Sequence, residues 1–234
     1  MPHDRYSAAE RDDVVGRTPP DCVPMIHREE YCGWRGDFQT LLETETPTIT
    51  RELSRFLLDR SGDQLAAWDS SLGILRSEAA KCITELPEAR WFAAILEYEL
   101  PRDHGRRPDV VVLENGTVAV IEFKETGRIL QADQDQVAAY ARDLGNYHSA
   151  CDDRRLVPIL VPTRYRGGPV VDDGVHVCSP SGLGRLLVDL TSGSTLARPD
   201  SESWVRGEYA PLPGLVEAAR ILFQRSPLPR IKRL

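Results

Sequence analysis

The sequence lacks the long, uncharged apolar runs on which membrane spans depend. No stretch of its 234 residues reaches the roughly 18 apolar residues that a spanning helix needs. The N-terminal Met-Pro-His-Asp-Arg-Tyr is not followed by an apolar segment of the kind that secretory signals contain. These absences predict a cytoplasmic protein with no membrane partner.

Cysteine is scarce and irregularly placed. The five cysteines are an odd number and are spread from Cys22 to Cys178, which does not fit a disulfide framework. Loose groupings with histidine occur around 22–32 and 148–178, but neither has the close paired spacing of a zinc finger. We interpret these side chains as packing or surface residues.

Positive charge is in deficit. The chain has 29 Lys and Arg against 36 Asp and Glu, a net charge of −7, which argues against coating nucleic acid by bulk attraction. An enzyme with an acidic metal centre and local basic contacts is not excluded. A basic cluster, Arg102, His104, Arg106 and Arg107, directly precedes the most informative part of the sequence, and a second lies in the tail at 225–233.

Apolar periodicity predicts an α/β protein with a central mixed β-sheet flanked by helices. Residues 1–30 are polar and aperiodic and are predicted to be poorly ordered. Residues 31–87 are predicted to form a helical extension that includes the first core helix, 88–190 the core, and 191–234 a C-terminal loop and helix.

Helical spacing predicts two helices between Pro47 and Leu86, broken at Ser61-Gly62-Asp63, and a third over 131–147. Later helices are predicted near Leu183–Leu190 and Leu215–Phe223. The predicted strands are Trp91–Leu100, Val110–Leu113, Val118–Phe123, Leu156–Val161 and Val175–Cys178.

Asn115-Gly116 separates two β-rich runs, which is a strong signal for a two-residue hairpin loop. The expected turn is type I′, which needs positive φ at both central positions. Glu114 then faces Thr117, and counting outward along both strands places Asp109 directly opposite Glu122. A loop of three or more residues would instead move Asp109 to the other face of the sheet.

The register predicts a compact charged group. Directly opposed residues have Cβ atoms roughly 4.5–5.5 Å apart, and Lys124 shares the face of Glu122 about 7 Å farther along the strand. Two carboxylates this close repel each other unless a cation lies between them, and Mg²⁺ binds one or two carboxylates together with water and phosphate oxygens. A lysine beside the metal can orient the attacking water and offset charge on the phosphate. The pattern predicts a functional metal site at Asp109 and Glu122, with Lys124 beside it.

The alternative interpretation is a solvent-exposed hairpin end whose charges alternate by chance. Val111 and Val120 share the charged face, and the opposite face is filled by Val110, Val112, Ala119, Ile121 and Phe123. A hairpin that is apolar on both faces is buried between two layers. Charged groups at its end therefore favour a functional site.

These residues resemble a known superfamily. Pro108-Asp109 followed by Glu122-Phe123-Lys124 resembles the PD-(D/E)XK nuclease signature, and Gln136-Val-Ala-Ala-Tyr140 resembles the Gln-x-x-x-Tyr helix of exonuclease domains in bacterial recombination helicase–nucleases. The resemblance implies a restriction-endonuclease-like core. It also implies Asp109, Glu122 and the Phe123 carbonyl as ligands of Mg²⁺, for which Mn²⁺ substitutes, with Gln136 and Tyr140 near the site.

The superfamily also has an acid on its first helix. Glu78 matches this acid by order and distance, whereas Glu97 and Glu99 are rivals because alternate residues of a strand share a face. Which of the three glutamates completes the site stays open at this point.

A narrower resemblance covers roughly residues 60–223. The runs at 97–101, 106–109, 122–124, 135–136 and 157–161 resemble the nuclease-like N-terminal domain of bacterial helicase-domain proteins that carry a Schlafen-like ATPase. The sequence contains no Gly-x-x-x-x-Gly-Lys-Ser/Thr phosphate loop. The resemblance therefore implies the nuclease part of a longer protein, or an enzyme that acts alone or with a helicase in trans, in DNA processing or phage defence.

Two function classes follow. The first is a Mg²⁺-dependent nuclease whose substrate is DNA, with RNA as an alternative, and whose Arg102, Arg106 and Arg107 bind phosphate. The second is a catalytically silent nuclease-fold module that binds nucleic acid or protein. A sugar or peptide hydrolase with paired acids is a weaker third, because it does not account for Lys124 and the basic cluster. The pattern does not distinguish a monomer from a homo-oligomer.

Overall fold

The computed structural model describes residues 31–57, 62–101, 105–191 and 196–211, together with residue 219. The predicted disordered segment 1–30, Arg102, His104 and the basic tail lie outside the described residues. The predicted helix Leu215–Phe223 also lies outside them, apart from the helical Ala219.

The centre of the protein is a seven-stranded sheet in the order β1-β2-β3-β4-β5-β7-β6. Strands β1 to β4 form successive antiparallel pairs, whereas β5 pairs in parallel with both β4 and β7. The sheet is therefore mixed, and the α/β class predicted from the sequence is confirmed. The strands are β1 (Trp34–Asp37), β2 (Ala93–Leu96), β3 (Val110–Leu113), β4 (Thr117–Lys124), β5 (Arg155–Pro162), β6 (Val170–Asp172) and β7 (Val175–Val177).

Six α-helices flank the sheet in the described part of the chain. They are α1 (Phe38–Glu43), α2 (Thr46–Phe56), α3 (Gly62–Glu85), α4 (Gln131–Tyr147), α5 (Leu183–Thr191) and α6 (Ser201–Val205). Helix α4 has the predicted bounds, because its apolar positions recur at helical spacing. Among the described residues, none of these helices combines the length and apolarity needed to cross a membrane.

Several elements differ from the prediction. The strand expected over Trp91–Leu100 is limited to β2, because a 3₁₀ turn occupies Pro87–Trp91 and Glu97 adopts φ +53°. Helix α3 already includes Gly62 and Asp63, so it begins within the predicted break at 61–63. The short elements β1, β6, α1 and α6 were not predicted, since too few residues lie in each to reveal a period.

Two apolar cores lie on the two faces of the sheet. The first contains Val110, Val112, Ala119, Ile121 and Phe123 and packs against α1, α2, α3 and α5. The second contains Val111, Leu113, Val118 and Val120 and packs against α4 and α6. The β3–β4 hairpin is therefore buried on both sides, as its two apolar faces predicted.

The cysteines serve in packing. Cys32, Cys82, Cys151 and Cys178 are buried, whereas Cys22 lies outside the described residues. Burial is the main cause that raises the pKa of the Cys82, Cys151 and Cys178 thiols to about 12. These thiols are therefore protonated and unreactive at neutral pH.

Candidate active site

The hairpin register places Asp109 beside Glu122. Val110 pairs with Ile121, Leu113 with Val118, and the Glu114 N–H donates to the Thr117 carbonyl at 2.9 Å. The loop is therefore the predicted two-residue one. Its type differs from the prediction, because only Gly116 has positive φ (+72°) and Asn115 does not, so the turn is not type I′.

The acidic end of the hairpin is fixed by a bond between its strands. An Oδ2 atom of Asp109 accepts a hydrogen bond from the Phe123 N–H at 2.8 Å. Asp109, Glu122 and Lys124 line one cavity. The alternation of β4 places Glu122 and Lys124 on the face of Val120, which belongs to the second core. The structure therefore places the three side chains at the same end of the hairpin, around one cavity.

Helix α4 completes a hydrogen-bonded network around Glu122. The Lys124 ammonium donates to Glu122 Oε1 at 2.9 Å and to Gln136 Oε1 at 3.0 Å. Gln136 Nε2 lies 2.9 Å from Glu122 Oε1 and 3.0 Å from the Tyr140 hydroxyl. Gln136 and Tyr140 share a helix face because they are four residues apart. Both therefore point toward the site from the following helix, as predicted.

Glu78 does not belong to this site, contrary to the first match from the sequence. Its Oε2 accepts a hydrogen bond from the Gly184 N–H at 3.0 Å, in the first turn of α5, and its Oε1 pairs with Lys81. It is not among the residues that line the cavity. The buried Glu78 carboxylate satisfies an unpaired N–H at a helix start, which is a structural role.

Glu97 is the glutamate that lies at the site. It lines the same cavity as Asp109 and Glu122, and its N–H donates to the Asp109 carbonyl at 3.0 Å. Its side chain accepts from Trp68 Nε1 at 2.9 Å and pairs with Arg107 at 3.2 Å. The positive φ of Glu97 interrupts the strand alternation, so the expectation that Glu97 and Glu99 share a face is wrong.

Burial raises the pKa of two acids at the site, Asp109 and Glu122. Burial, and then the charges of Glu122 and Glu97, raise the pKa of Asp109 well above its usual value. Burial likewise raises the pKa of Glu122, although the charge and hydrogen bond of Lys124 oppose this. Burial alone would lower the pKa of Lys124, but the charges of Glu122 and Asp109 outweigh it and raise that pKa. The site therefore favours binding of further positive charge.

Two features of the site fit a divalent cation. Glu122 Oε2 is buried and has no hydrogen-bond partner within the described part of the chain, although its neighbour Oε1 has two. The Lys124 carbonyl accepts from Thr163 on the β5 side. Successive carbonyls of a strand point to opposite sides, so the Phe123 carbonyl points away from β5, toward the side on which Asp109 lies.

The side-chain ligands are few. Among the described residues, no group of three or more His, Cys, Asp or Glu side chains could hold a metal ion. A site formed by Asp109, Glu122 and the Phe123 carbonyl contains two such side chains and one backbone oxygen. This donor set suits Mg²⁺, which keeps several water ligands, and does not suit a closed structural zinc site.

The basic residues near the site are engaged with acids. Arg106 pairs with Asp143 at 2.8 Å, and its guanidinium carbon lies 5.1 Å from the centre of the Tyr140 ring. Arg107 pairs with Glu97. Both arginines are part-exposed and lie next to site residues, whereas Arg102 lies outside the described residues. Their predicted contact with phosphate stays a prediction.

The sequence did not point to two residues near the site. Asp143 lies one helical turn beyond Tyr140 and holds Arg106 over its ring; its spacing from Gln136 and Tyr140 on α4 was the available signal. Trp68 lies in the second of the helices predicted between Pro47 and Leu86. Its indole N–H donates to Glu97 across a large sequence separation, which no local pattern reveals.

The cavity beside these acids has a volume of about 170 Å³ and reaches from the hairpin end to α2 and α3. Its polar side is formed by Glu97, Asp109, Glu122 and Lys124. Comparison of the chain with protein-family models, with curated proteins and with solved structures finds no match.

Proposed function

We propose that this protein is a metal-dependent nuclease that hydrolyses phosphodiester bonds of DNA. The carrying observation is the buried, unpartnered Glu122 Oε2 next to Asp109, in a network that also holds Lys124. A buried carboxylate oxygen without a donor is costly. A bound cation would offset that cost and the repulsion between the acids.

Asp109, Glu122 and the Phe123 carbonyl would hold Mg²⁺, with Mn²⁺ as a substitute, and Glu97 adds negative charge beside them. When bound, the ion lowers the pKa of a water ligand and polarises the phosphate. Lys124 is held as a cation by the neighbouring carboxylates. It can therefore donate hydrogen bonds to the attacking water and to a phosphate oxygen, and offset the charge that develops there.

Gln136 holds the neighbouring side chains of the site in position. Its amide binds Glu122, Lys124 and Tyr140 at the same time. A side chain held by three bonds restricts the rotamers of the residues that it contacts. Arg106 stacks on Tyr140 and is part-exposed, so it is placed to meet a phosphate of the bound strand.

RNA is the alternative substrate, and a helicase in trans or as a neighbouring domain is the expected partner, with a role in DNA processing or phage defence. A silent nuclease-fold module is the second candidate function. The Glu97–Arg107 and Lys124–Glu122 ion pairs favour it in part, because acids and bases at the site already neutralise each other. Turnover distinguishes the two candidates.

The test is cleavage of plasmid and linear DNA, and of RNA, with Mg²⁺, with Mn²⁺ and with excess chelator. Wild type should cleave only with a divalent ion. Asp109→Ala, Glu122→Ala and Lys124→Ala should each abolish cleavage, and all three should still hold DNA at low salt and release it as the salt concentration rises. Cleavage that persists in chelator would contradict the proposed mechanism.

Glu125→Gln is the matched control. Glu125 directly follows Lys124 in the chain, but its carboxylate forms an exposed ion pair with Arg164 at 2.6 Å. Exposed pairs contribute at most about 1 kcal/mol, so this variant should keep both stability and cleavage. Full activity of Lys124→Ala would exclude the proposed role of Lys124, and DNA binding without cleavage by wild type would favour the silent module.

A further inference from the structure

The cavity beside the acidic site has an apolar side that the proposed chemistry does not use. Its walls there are formed by Leu53 of α2, by Trp68, Leu72 and Leu75 of α3, and by Leu96 at the end of β2. The same cavity is also lined by the carboxylates and Lys124. One continuous space therefore joins a cation and phosphate site to a leucine-lined recess.

The volume of the cavity limits which ligand the recess can hold. A cavity of about 150 Å³ lined by leucine, isoleucine and phenylalanine side chains accepts a single benzene ring. The whole cavity, including the space beside the acids, has a volume of about 170 Å³. It therefore has room for no more than one six-membered ring, and a fused two-ring system requires the walls to move. Packed interiors resist such movement.

The orientation of Trp68 is fixed by the site itself. The indole N–H is bound to Glu97 Oε1 at 2.9 Å, so the polar edge of the ring is satisfied at the acidic side. Trp68 is also one of the residues that line the cavity. Such a wall attracts a flat aromatic ring and repels a sugar or a phosphate, which would lose their hydration there.

We infer that this recess binds an unstacked pyrimidine base of the nucleotide whose phosphate lies at the acidic site. The inference rests on the proposed function, since that function brings the phosphate to Asp109 and Glu122. A base in the recess has left its duplex stack, so the enzyme acts on single strands or frayed ends and prefers thymine or cytosine over purines at the cleaved position.

The test is binding of oligonucleotides of about ten residues, made of thymidine, of deoxyadenosine, or of abasic sites. Fluorescence anisotropy is measured with Ca²⁺ in place of Mg²⁺ to prevent turnover. Wild type should bind the thymidine strand more tightly than the abasic strand by about 5- to 150-fold, the range of one base–aromatic stack. The deoxyadenosine strand should bind more weakly than the thymidine strand.

Leu72→Phe places a ring in the recess and should bring the affinities for the three strands together. Leu196→Phe is the matched control, because it makes the same change at an exposed position outside the cavity, and it should keep the wild-type preference. If Leu72→Phe does not fold, Trp68→Leu serves instead, and Trp68→Phe, which keeps a ring, should retain the preference.

The outcomes separate this inference from the proposed function. Three results would contradict base binding in the recess. They are equal binding of the three strands by wild type, no binding of any strand, and an unchanged preference in Leu72→Phe. Mg²⁺-dependent cleavage without a base preference would contradict only base binding in the recess, and the proposed nuclease function would remain. A thymidine preference without any cleavage removes the nuclease and leaves a nucleotide-binding recess.

Discussion

Glu114 lies at the opposite end of the β3–β4 hairpin from the acidic site, and its burial predicts a pH-dependent stability. The side chain is fully buried, and Thr191 donates a hydrogen bond to its Oε2 at 2.9 Å, whereas Oε1 has no partner among the described residues. Burial raises the pKa of Glu114 from 4.5 to about 8, although Thr191 and Arg155 lower it in part.

The direction of the change in stability with pH follows from the protons that Glu114 binds in the folded and unfolded states. Between about pH 4.5 and pH 8 the folded protein holds a proton on Glu114 that the unfolded chain has released, so the free energy of unfolding falls as the pH rises through this window. The stabilisation is complete below pH 4.5 and is lost above about pH 8. The two pKa values differ by about 3.5, and each pH unit is worth about 1.36 kcal/mol, so the total effect is at most about 5 kcal/mol.

Glu114→Gln removes this titration and keeps the size and the acceptor for Thr191. The amide N–H₂ group lacks a partner in that position, which lowers the stability of the variant at every pH. The informative quantity is therefore the slope of the free energy of unfolding against pH, and not its absolute value. Urea unfolding of both proteins at several pH values from 5 to 8 should show a stability difference that grows in favour of the variant by about 1 kcal/mol per pH unit. Other titrating groups are common to both proteins and cancel. Parallel curves would refute the reasoning.

Three further predictions concern the site and the second core. Gln136→Ala should lower the cleavage rate about 10- to 100-fold with little loss of stability, and an unchanged rate would exclude a positioning role. Mg²⁺ at about a hundredfold excess over its Kd should stabilise wild type by about 2.7 kcal/mol in a melting curve, and Asp109→Asn should lose most of this; equal shifts would place the ion elsewhere. Burial lowers the pKa of His148 to about 4, so stability should fall as the pH drops from 6.5 toward 4, and acid unfolding of His148→Phe should show a smaller fall.

Local patterns predicted the elements that hold most of the site. Helix α4 has the predicted bounds because its apolar residues repeat at helical spacing over four turns. The hairpin register came from Asn115-Gly116, because a two-residue loop fixes which residues face each other. Asp109, Glu122 and Lys124 could therefore be placed together, and Gln136 added, from the sequence.

The short elements and the bounds of β2 could not be predicted in the same way. Strand β1 has four residues and joins β2, which lies more than fifty residues later in the chain; pairing at that distance leaves no local pattern. Glu97 adopts φ +53°, a conformation that is rare outside glycine, and the fold holds it there through Trp68, Arg107 and the Asp109 carbonyl.

The sequence by itself determined the α/β class, the hairpin, helix α4 and the grouping of two acids with a lysine, because each depends on neighbours in the chain or on one fixed turn. Only the tertiary structure decided that Glu97 and not Glu78 lies beside them, and that leucines of α2 and α3 enclose a recess next to the acids. Both depend on how α3 crosses the sheet, and that packing is set by contacts between residues far apart in sequence, which no periodicity encodes.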